Sequence, residues 1–442
     1  MDKSWSQVDL IREAFHYQSR FAGSTMVFKI DFPVTEDPGF PYLMKDLALL
    51  AQTGFRVVIV PGAKEWIDSV LREYGIVSGY AGSIRITTEA AIPFVEMAAF
   101  HVATRFMTGL AASRVDAVIG NFVRAQGLGI LNGADMAHTG TVKKILSEPV
   151  RRALENGMVP ILPCIGWSAS GKPYNVPSDE IALAASAALG AVKLFILSLE
   201  NRISAGAYVL PDTISRDEQG RISRLSIQEA GAILEKNWKE NDKGLDEISL
   251  ALKAARTGVE RVQLVDAREE GAVLRELFSN LGSGTMIYSD EYEAIRPLKT
   301  GDIPDVLRLM EPLMHQGVLV RRSAGDIQEK KADYAVFAID GSIHASGALH
   351  DWGEDQGEIA AVSTDPAYAD LGLGRRIVRY LIDRAGKQGL RRVFVLTTRT
   401  QDWFELLGFK EVSVESLPEK KRLLYDRNRN SKIFALDIGS RQ

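Results

Sequence analysis

Residues 358–376 read EIAAVSTDPAYADLGLGRR. An apolar, β-branched run is stopped by a proline, a Gly-x-Gly loop follows, and the next run opens on two arginines. This is strand, loop and helix start in immediate succession. Backbone amides of Leu371, Gly372, Leu373, Gly374 and Arg375, aimed along a helix N-terminus, suit a pyrophosphate: the amides donate to phosphate oxygens and the helix dipole favours the negative charge. Gly372 and Gly374 let the backbone come close. A lone Gly-x-Gly also fits a plain turn before a helix, so the flanks decide.

Working outward, residues 375–388 have helical spacing and residues 392–398 form a second apolar strand, which makes a βαβ unit with strand 358–364. Upstream lie strand 294–298, helix 302–316, and two alternating runs, 334–339 and 342–349, separated by Asp340-Gly341. An Asp-Gly pair between such runs predicts a hairpin, because both turn positions take positive φ. Downstream are helix 402–407 and strand 432–436. Together they predict a mixed α/β domain over residues 294–442, preceded by a polar linker, 287–293.

Residues 1–286 carry a different rhythm. Strands 26–30, 57–60, 115–119, 159–163 and 193–199 alternate with helices 43–54, 63–74, 90–110, 141–156 and 179–190, the pattern of a largely parallel sheet covered on both faces. Residues 211–244 read as polar and irregular, after which helix 245–257 and strand 261–265 return. The fold class is therefore α/β throughout: a sandwich with a mainly parallel sheet, then a smaller mixed domain.

The chain has 442 residues, 46% of them apolar, with 53 Lys and Arg against 57 Asp and Glu, a net charge of −4. That balance gives no field to draw the protein onto nucleic acid or an anionic membrane, and small molecules are the expected partners. The longest apolar runs, 57–60 and 194–199, fall far below the roughly 18 residues of a membrane span. Cys164 is the single cysteine, so no intramolecular disulfide is available; with a polar start lacking a secretory core, the expected compartment is reducing and cytoplasmic. His16, His101, His138, His315, His344 and His350 are scattered without ligand spacing, and no metal is expected.

The second domain resembles the GNAT acyltransferase superfamily, in which a splayed pair of parallel strands, here 358–364 and 392–398, admits the pantetheine arm of acetyl-CoA. The superfamily's Q/R-x-x-G-x-G/A cradle stands here as Ala369-Asp370-Leu371-Gly372-Leu373-Gly374, with Ala369 departing from the pattern. WFELLGF (403–409) matches its aromatic helix and Gly-Phe ending, although Phe404 replaces the tyrosine that often protonates the leaving thiolate. GVLVRRS (317–323), FVLTTRTQDWFELLGF (394–409) and LPEKKRLLYDRNRNSK (417–432) further resemble the bacterial N-acetylglutamate synthase family. The resemblance implies direct acetyl transfer, in a ternary complex, from acetyl-CoA to the α-amino group of L-glutamate, the first step toward arginine. It makes Leu319, Arg321 or Arg322, Arg429 and Ser431 the substrate contacts; planar guanidinium groups bind carboxylates in bidentate fashion. Glu358 becomes the general base, acting through water, Val362 supplies a backbone N–H to the thioester oxygen, and Thr397 orients water or thiolate. The plainer readings are a strand-end surface carboxylate for Glu358 and a solvated basic face for residues 420–432.

The first domain resembles the amino-acid kinase family through Lys29 on its first strand, VVIVPGA (57–63), Asn175 and Asp179, and GVERVQLVD with ELFSNLGSGT (258–285). Where a kinase would place Gly-Gly against ATP phosphates this chain has Asp31-Phe32, and LSLE (197–200) replaces the usual nucleotide segment. The expectation is no ATP binding and no phosphoryl transfer, with the domain left for regulation or assembly. The resemblance places an arginine effector at Tyr17, Glu276, Gly282, Ser283 and Gly284, although Glu13 and Asp246 depart from the arginine-sensitive pattern, and implies a homo-oligomer, with a hexamer as its form. Two competing functions remain: an acetylglutamate kinase, opposed by Asp31-Phe32, and a ligand-sensing domain controlling a GNAT enzyme for another amino acid or for protein lysine, opposed by the carboxylate-binding arginines.

Overall fold

The structure is a computed structural model that describes the chain except residues 1–14, 16, 19–20, 83, 200–202, 204–207, 212–213, 215–219, 221, 240–241, 279–283, 289–292, 340–341, 367–371, 428 and 439–442. The chain divides into two compact units, Met1–Ser289 and Asp290–Gln442. Among the described residues no helix is long and apolar enough to cross a membrane.

The strands of the two larger sheets of the first unit are β1 (Thr25–Ile30), β2 (Arg56–Pro61), β3 (Ala117–Ile119), β4 (Val123–Gly127), β5 (Gly140–Ile145), β6 (Val159–Ile161), β7 (Ile165–Trp167), β8 (Pro173–Asn175), β9 (Lys193–Ser198), β10 (Arg224–Ser226), β11 (Arg261–Asp266) and β12 (Thr285–Tyr288). Eight of them make one sheet in the order β10-β12-β11-β9-β1-β2-β6-β3. Every neighbouring pair in it is parallel except β11 with β12. All six residues of β1 are buried, as a strand covered on both faces requires. Met26, Phe28 and Ile30 point into one core with helices Phe40–Gln52, Lys64–Glu73 and Ile92–Ala112. Val27 points into the other, with helices Ser147–Glu155, Ser178–Leu189 and Lys243–Arg256. This is the predicted sandwich.

Two stretches differ from expectation. Residues 141–156 are not one helix: β5 pairs antiparallel with β4 in a four-stranded sheet, β8-β7-β4-β5, and only Ser147–Glu155 is helical. Thr141 and Val142 are β-branched, and pairing with a partner strand overrides the local period. Residues 211–244, read as irregular, contain β10 and helix Ile227–Asn237. A capping box starts that helix: Glu229 N donates to Ser226 Oγ at 3.2 Å and Ser226 N to Glu229 Oε2 at 2.9 Å. The S-x-x-E spacing was there to be read.

The second unit has β13 (Glu293–Pro297), β14 (Tyr334–Ile339), β15 (Ser342–Asp351), β16 (Gln356–Thr364), β17 (Arg392–Thr397), β18 (Lys410–Val412) and β19 (Lys432–Asp437), in the order β13-β14-β15-β16-β17-β19-β18. β14 and β15 pair as predicted, Ile339 opposite Ser342; Asp340-Gly341 lies outside the described residues. Helix Leu373–Lys387 packs Leu373, Ile377 and Leu381 against Ala345, Leu349, Ile359 and Val393. Helix Ile303–His315 covers the other face through Val306 and Met310.

Candidate active site

Among the described residues β16 and β17 are the one parallel pair in the sheet of the second unit, and they separate early. Gln356, Gly357 and Glu358 face Arg392, Val393 and Phe394, and there the pairing ends. Beyond it β17 stays paired with β19 to Thr397, and β16 stays with β15 to Thr364. The sheet thus carries a seam that opens at Glu358. Further along, one residue of β15, Gly347, stands opposite two of β16, Ala361 and Val362. Ala361 takes φ 55° to make this bulge, and a bulge re-aims the backbone where it occurs. Val362, the predicted donor, sits on it.

Glu358 is 7% exposed, which excludes the strand-end surface reading. Its Oε2 accepts from Lys421 Nζ at 2.7 Å and from Trp352 Nε1 at 2.9 Å. Neither partner was singled out from the sequence.

Helix Leu373–Lys387 starts after Gly372, whose φ of 60° is left-handed. Gly374 is held by packing: a Cβ there would lie 3.2 Å from Trp403 and 3.5 Å from Thr364. Arg375 is exposed in the first helical turn, free of the core and close to the helix N-terminus. Leu371 lies outside the described residues. Thr397, buried at the end of β17, has its hydroxyl 2.8 Å from that of Thr400 and accepts from Thr400 N at 3.0 Å. It closes the turn into helix Gln401–Leu406. Phe404 in that helix is buried edge-on against Trp403 and Phe409, so the position offers packing and no proton.

The predicted substrate contacts meet from two segments distant in sequence. Arg429 donates through Nη2 to Val318 O at 2.6 Å, which fixes the tail against the stretch that continues into Leu319, Arg321 and Arg322. Leu319 is half-buried against a core that includes Ala361 of β16, Arg321 is exposed and Arg322 half-buried. Ser431 is buried, and its carbonyl accepts from Tyr425 OH at 2.7 Å. Tyr425 packs with Trp352 and Phe394, so the same tail borders the seam. The arrangement offers a carboxylate at the mouth of an opened sheet and a helix start at two glycines, and the segments that carry the arginines are tied together through Arg429 and Val318.

In the first unit Lys29 Nζ lies 2.6 Å from Asp31 Oδ1 and 2.9 Å from Asp179 Oδ1, and Lys243 Nζ lies 2.9 Å from Asp31 Oδ2. Burial alone would lower the Lys29 pKa, but Asp179 and Asp31 overcome it and raise the pKa above its ordinary value. Burial likewise works against Asp31, and Lys29 and Lys243 nevertheless hold it below the ordinary carboxylate range. Glu247, in the same cluster, is pushed by burial up to about 7. Asp31 thus sets its own negative charge against the Lys29 ammonium. Cys164 is buried and its thiol is pushed by burial up to about 12, which disfavours the thiolate.

Tyr17 stacks on Phe21 at 5.9 Å, and Lys193 Nζ lies over both rings. Glu276 is buried and accepts from Gly284 N. A Cβ at Gly284 would meet Leu264 O at 2.1 Å. Gly282 and Ser283 lie outside the described residues. Among those described, no group of three or more His, Cys, Asp or Glu side chains is placed to hold a metal ion.

Fold and site define a GNAT acyltransferase unit joined to an amino acid kinase-type unit. Residues 32–266 match the amino acid kinase family and residues 308–409 the acetyltransferase (GNAT) family. The amino-acid acetyltransferase of Neisseria meningitidis serogroup B is 33% identical over 96% of this chain and 96% of its own; that of Escherichia coli K12 is 31% identical over 98% of each. Crystal structures of N-acetylglutamate synthase from Neisseria gonorrhoeae superpose with TM-score 0.87 at 31% identity for the complex with coenzyme A and L-arginine, and 0.62 at 33% for the complex with coenzyme A and N-acetyl-glutamate. Each covers 98% of this chain and 100% of that one. The chain belongs to the bacterial amino-acid acetyltransferase family and is an acyltransferase.

Proposed function

We propose that the second unit transfers the acetyl group of acetyl-CoA to the α-amino group of L-glutamate, giving N-acetyl-L-glutamate at the first step of arginine biosynthesis. The observation that carries this reading is the tie of Arg429 to Val318 O, which gathers the guanidinium groups of two distant segments beside the seam, as a substrate with two carboxylates requires. The gonococcal enzyme's complexes with coenzyme A and N-acetyl-glutamate support it.

Acetyl-CoA supplies the activated acyl group. The residues present fit it: Gly372 and Gly374 bring the backbone close at a helix N-terminus, with Arg375 exposed beside them for phosphate, and the parted strands leave room for an extended arm. Arg321, Arg322, Arg429 and Ser431 hold the carboxylates, with Leu319 against the aliphatic chain. Glu358 receives, through water, the proton that the substrate ammonium must lose before its nitrogen can attack. The bulge at Ala361 aims the Val362 N–H at the oxygen on which negative charge develops. With Cys164 buried in the other unit, transfer is direct, in a ternary complex.

The first unit serves regulation and assembly and performs no phosphoryl transfer, because Asp31 fills by charge the place of a phosphate. Free arginine is its effector, bound at Tyr17, Glu276 and the loop through Gly284, a reading supported by the neighbour's complex with L-arginine, and the chain works as a homo-oligomer. CoA release measured with each of the twenty amino acids, with and without arginine, tests these statements together. Release with glutamate alone, altered by arginine, is the expected result; equal release with several amino acids would remove the glutamate assignment.

A further inference from the structure

A carboxylate that accepts a proton has two oxygens, and this structure treats those of Glu358 differently. Both donors that reach the group fall on Oε2, Lys421 Nζ at 2.7 Å and Trp352 Nε1 at 2.9 Å. Among the described residues Oε1 takes no hydrogen bond from the protein. Lys421 Nζ also lies 4.8 Å from the centre of the Trp352 ring, so carboxylate, ammonium and indole close a triangle. The side chains of Lys421 and Glu358 are 16% and 10% exposed. Burial at that level keeps such a pair from being the loosely held surface bridge that contributes little.

The triangle is fastened by a strained turn. After Trp352, Gly353, Glu354 and Asp355 take φ of 78°, 53° and 54°, and the left-handed region is strained for the two non-glycine residues. The turn is held on three sides. Gly353 N donates to Asp351 Oδ1 at 2.8 Å. Asp355 O accepts from Arg391 N at 2.8 Å and from Arg392 N at 3.2 Å, where β17 begins. Glu354 Oε1 accepts from Glu419 N at 2.9 Å, at the first residue of the short helix Glu419–Leu423 that presents Lys421. One turn therefore locates both donors, and the strain is spent where it sets the direction of a single carboxylate.

We propose that Lys421 and Trp352 are positioning residues for acetyl transfer: they bind Oε2 of Glu358 and leave Oε1 as the oxygen that meets the substrate amine or its water. The proposal rests on the reading of Glu358 as the base. It does not make Lys421 or Trp352 a catalytic residue, since both act through Glu358. It also joins the two halves of the site, because the tail that carries Lys421 continues into Arg429 and Ser431.

Steady-state kinetics of the full chain test it with four variants. Lys421→Met is expected to lower kcat about tenfold or more while the KM values for glutamate and acetyl-CoA stay within about twofold, and Lys421→Arg is expected to recover a large part of the loss. Trp352→Phe keeps a ring under the cation and removes only the Nε1 donor; a fall of several-fold in kcat at unchanged melting temperature is expected, and this variant decides the matter if Lys421→Met does not fold. An unaltered kcat in Trp352→Phe and Lys421→Met, or a loss that lies entirely in KM, overturns the proposal. Glu358→Gln separates the two readings: if it retains wild-type kcat the base assignment itself fails, whereas an inactive Glu358→Gln beside unaffected Lys421 and Trp352 variants overturns the positioning alone.

Discussion

Each unit of the chain holds a buried carboxylate against lysine, and the two clusters end differently. In the first unit Asp31 gives Oδ1 to Lys29 and Oδ2 to Lys243, so both of its oxygens are taken by cations. In the second unit Lys421 and Trp352 share Oε2 of Glu358, and among the described residues the other oxygen has no protein donor. The same residue types give a carboxylate closed on both oxygens in one place and one left open on a single oxygen in the other. What separates them is how many acceptor positions the protein itself consumes.

The largest effect expected from breaking this contrast is at the open cluster. Glu358→Gln should lower kcat by roughly 10²- to 10⁴-fold, the range for loss of a general base, with coenzyme A binding by calorimetry unchanged; a retained kcat would make Glu358 as structural as Asp31. At the closed cluster Lys29→Met should leave acetyl transfer near normal and destabilise the first unit by about 3 kcal/mol, the low end for breaking a buried pair, because Lys243 still covers Asp31. Chemical denaturation with a probe in the first unit measures it. Arg429→Ala should cost about 1.5–3 kcal/mol, roughly ten- to a hundredfold in glutamate kcat/KM, with acetyl-CoA affinity nearly intact.

The smallest effect concerns Glu247, which has one oxygen without a hydrogen-bond partner among the described residues. Burial, reinforced by Asp31 and opposed by Lys29 and Lys243, lifts its pKa from 4.5 to about 7. A carboxyl whose folded pKa lies above its unfolded value costs stability when ionised: nothing below about pH 4.5, increasingly up to pH 7, and fully above it. Glu247→Gln should therefore melt like the wild type near pH 4.5 and exceed it by a margin that grows up to about pH 7 and then stays level. A gap that does not change with pH would show that Glu247 keeps its ordinary pKa in the folded protein.

Periodicity and punctuation make most of the architecture legible in the sequence. The central strands around Lys29 and the hairpin at residues 334–349 announce themselves because covered strands are continuously apolar and hairpin turns need particular residues. β5 was hidden because Thr141–Ile145 acquires its strand character only from β4 across the sheet. At the site, the glycine loop and the strand carrying Glu358 stand out in the sequence. Lys421 does not: it lies between Lys420 and Arg422, both exposed, in a helix of five residues too short for a period to mark one lysine as inward. Trp352 is a lone aromatic beside charged residues, and its role depends on a left-handed turn. Asp-Trp-Gly-Glu-Asp ahead of a strand gives a turn signal without stating which side chain the turn will aim.

The seam between β16 and β17 also affects how the protein responds to its surroundings. Each of the two strands is held by its outer neighbour, β15 or β19, and because the gap lies inside the sheet it offers no free edge to another chain. Backbone amides along it forgo the pairing that an uninterrupted sheet would give them until something extended lies between the strands. A molecule that binds only the folded form adds RT ln(1 + [L]/Kd) to stability. The heat resistance and protease resistance of the second unit should therefore follow the free coenzyme A pool, and the enzyme should persist longest in cells whose supply of activated acetyl groups is high.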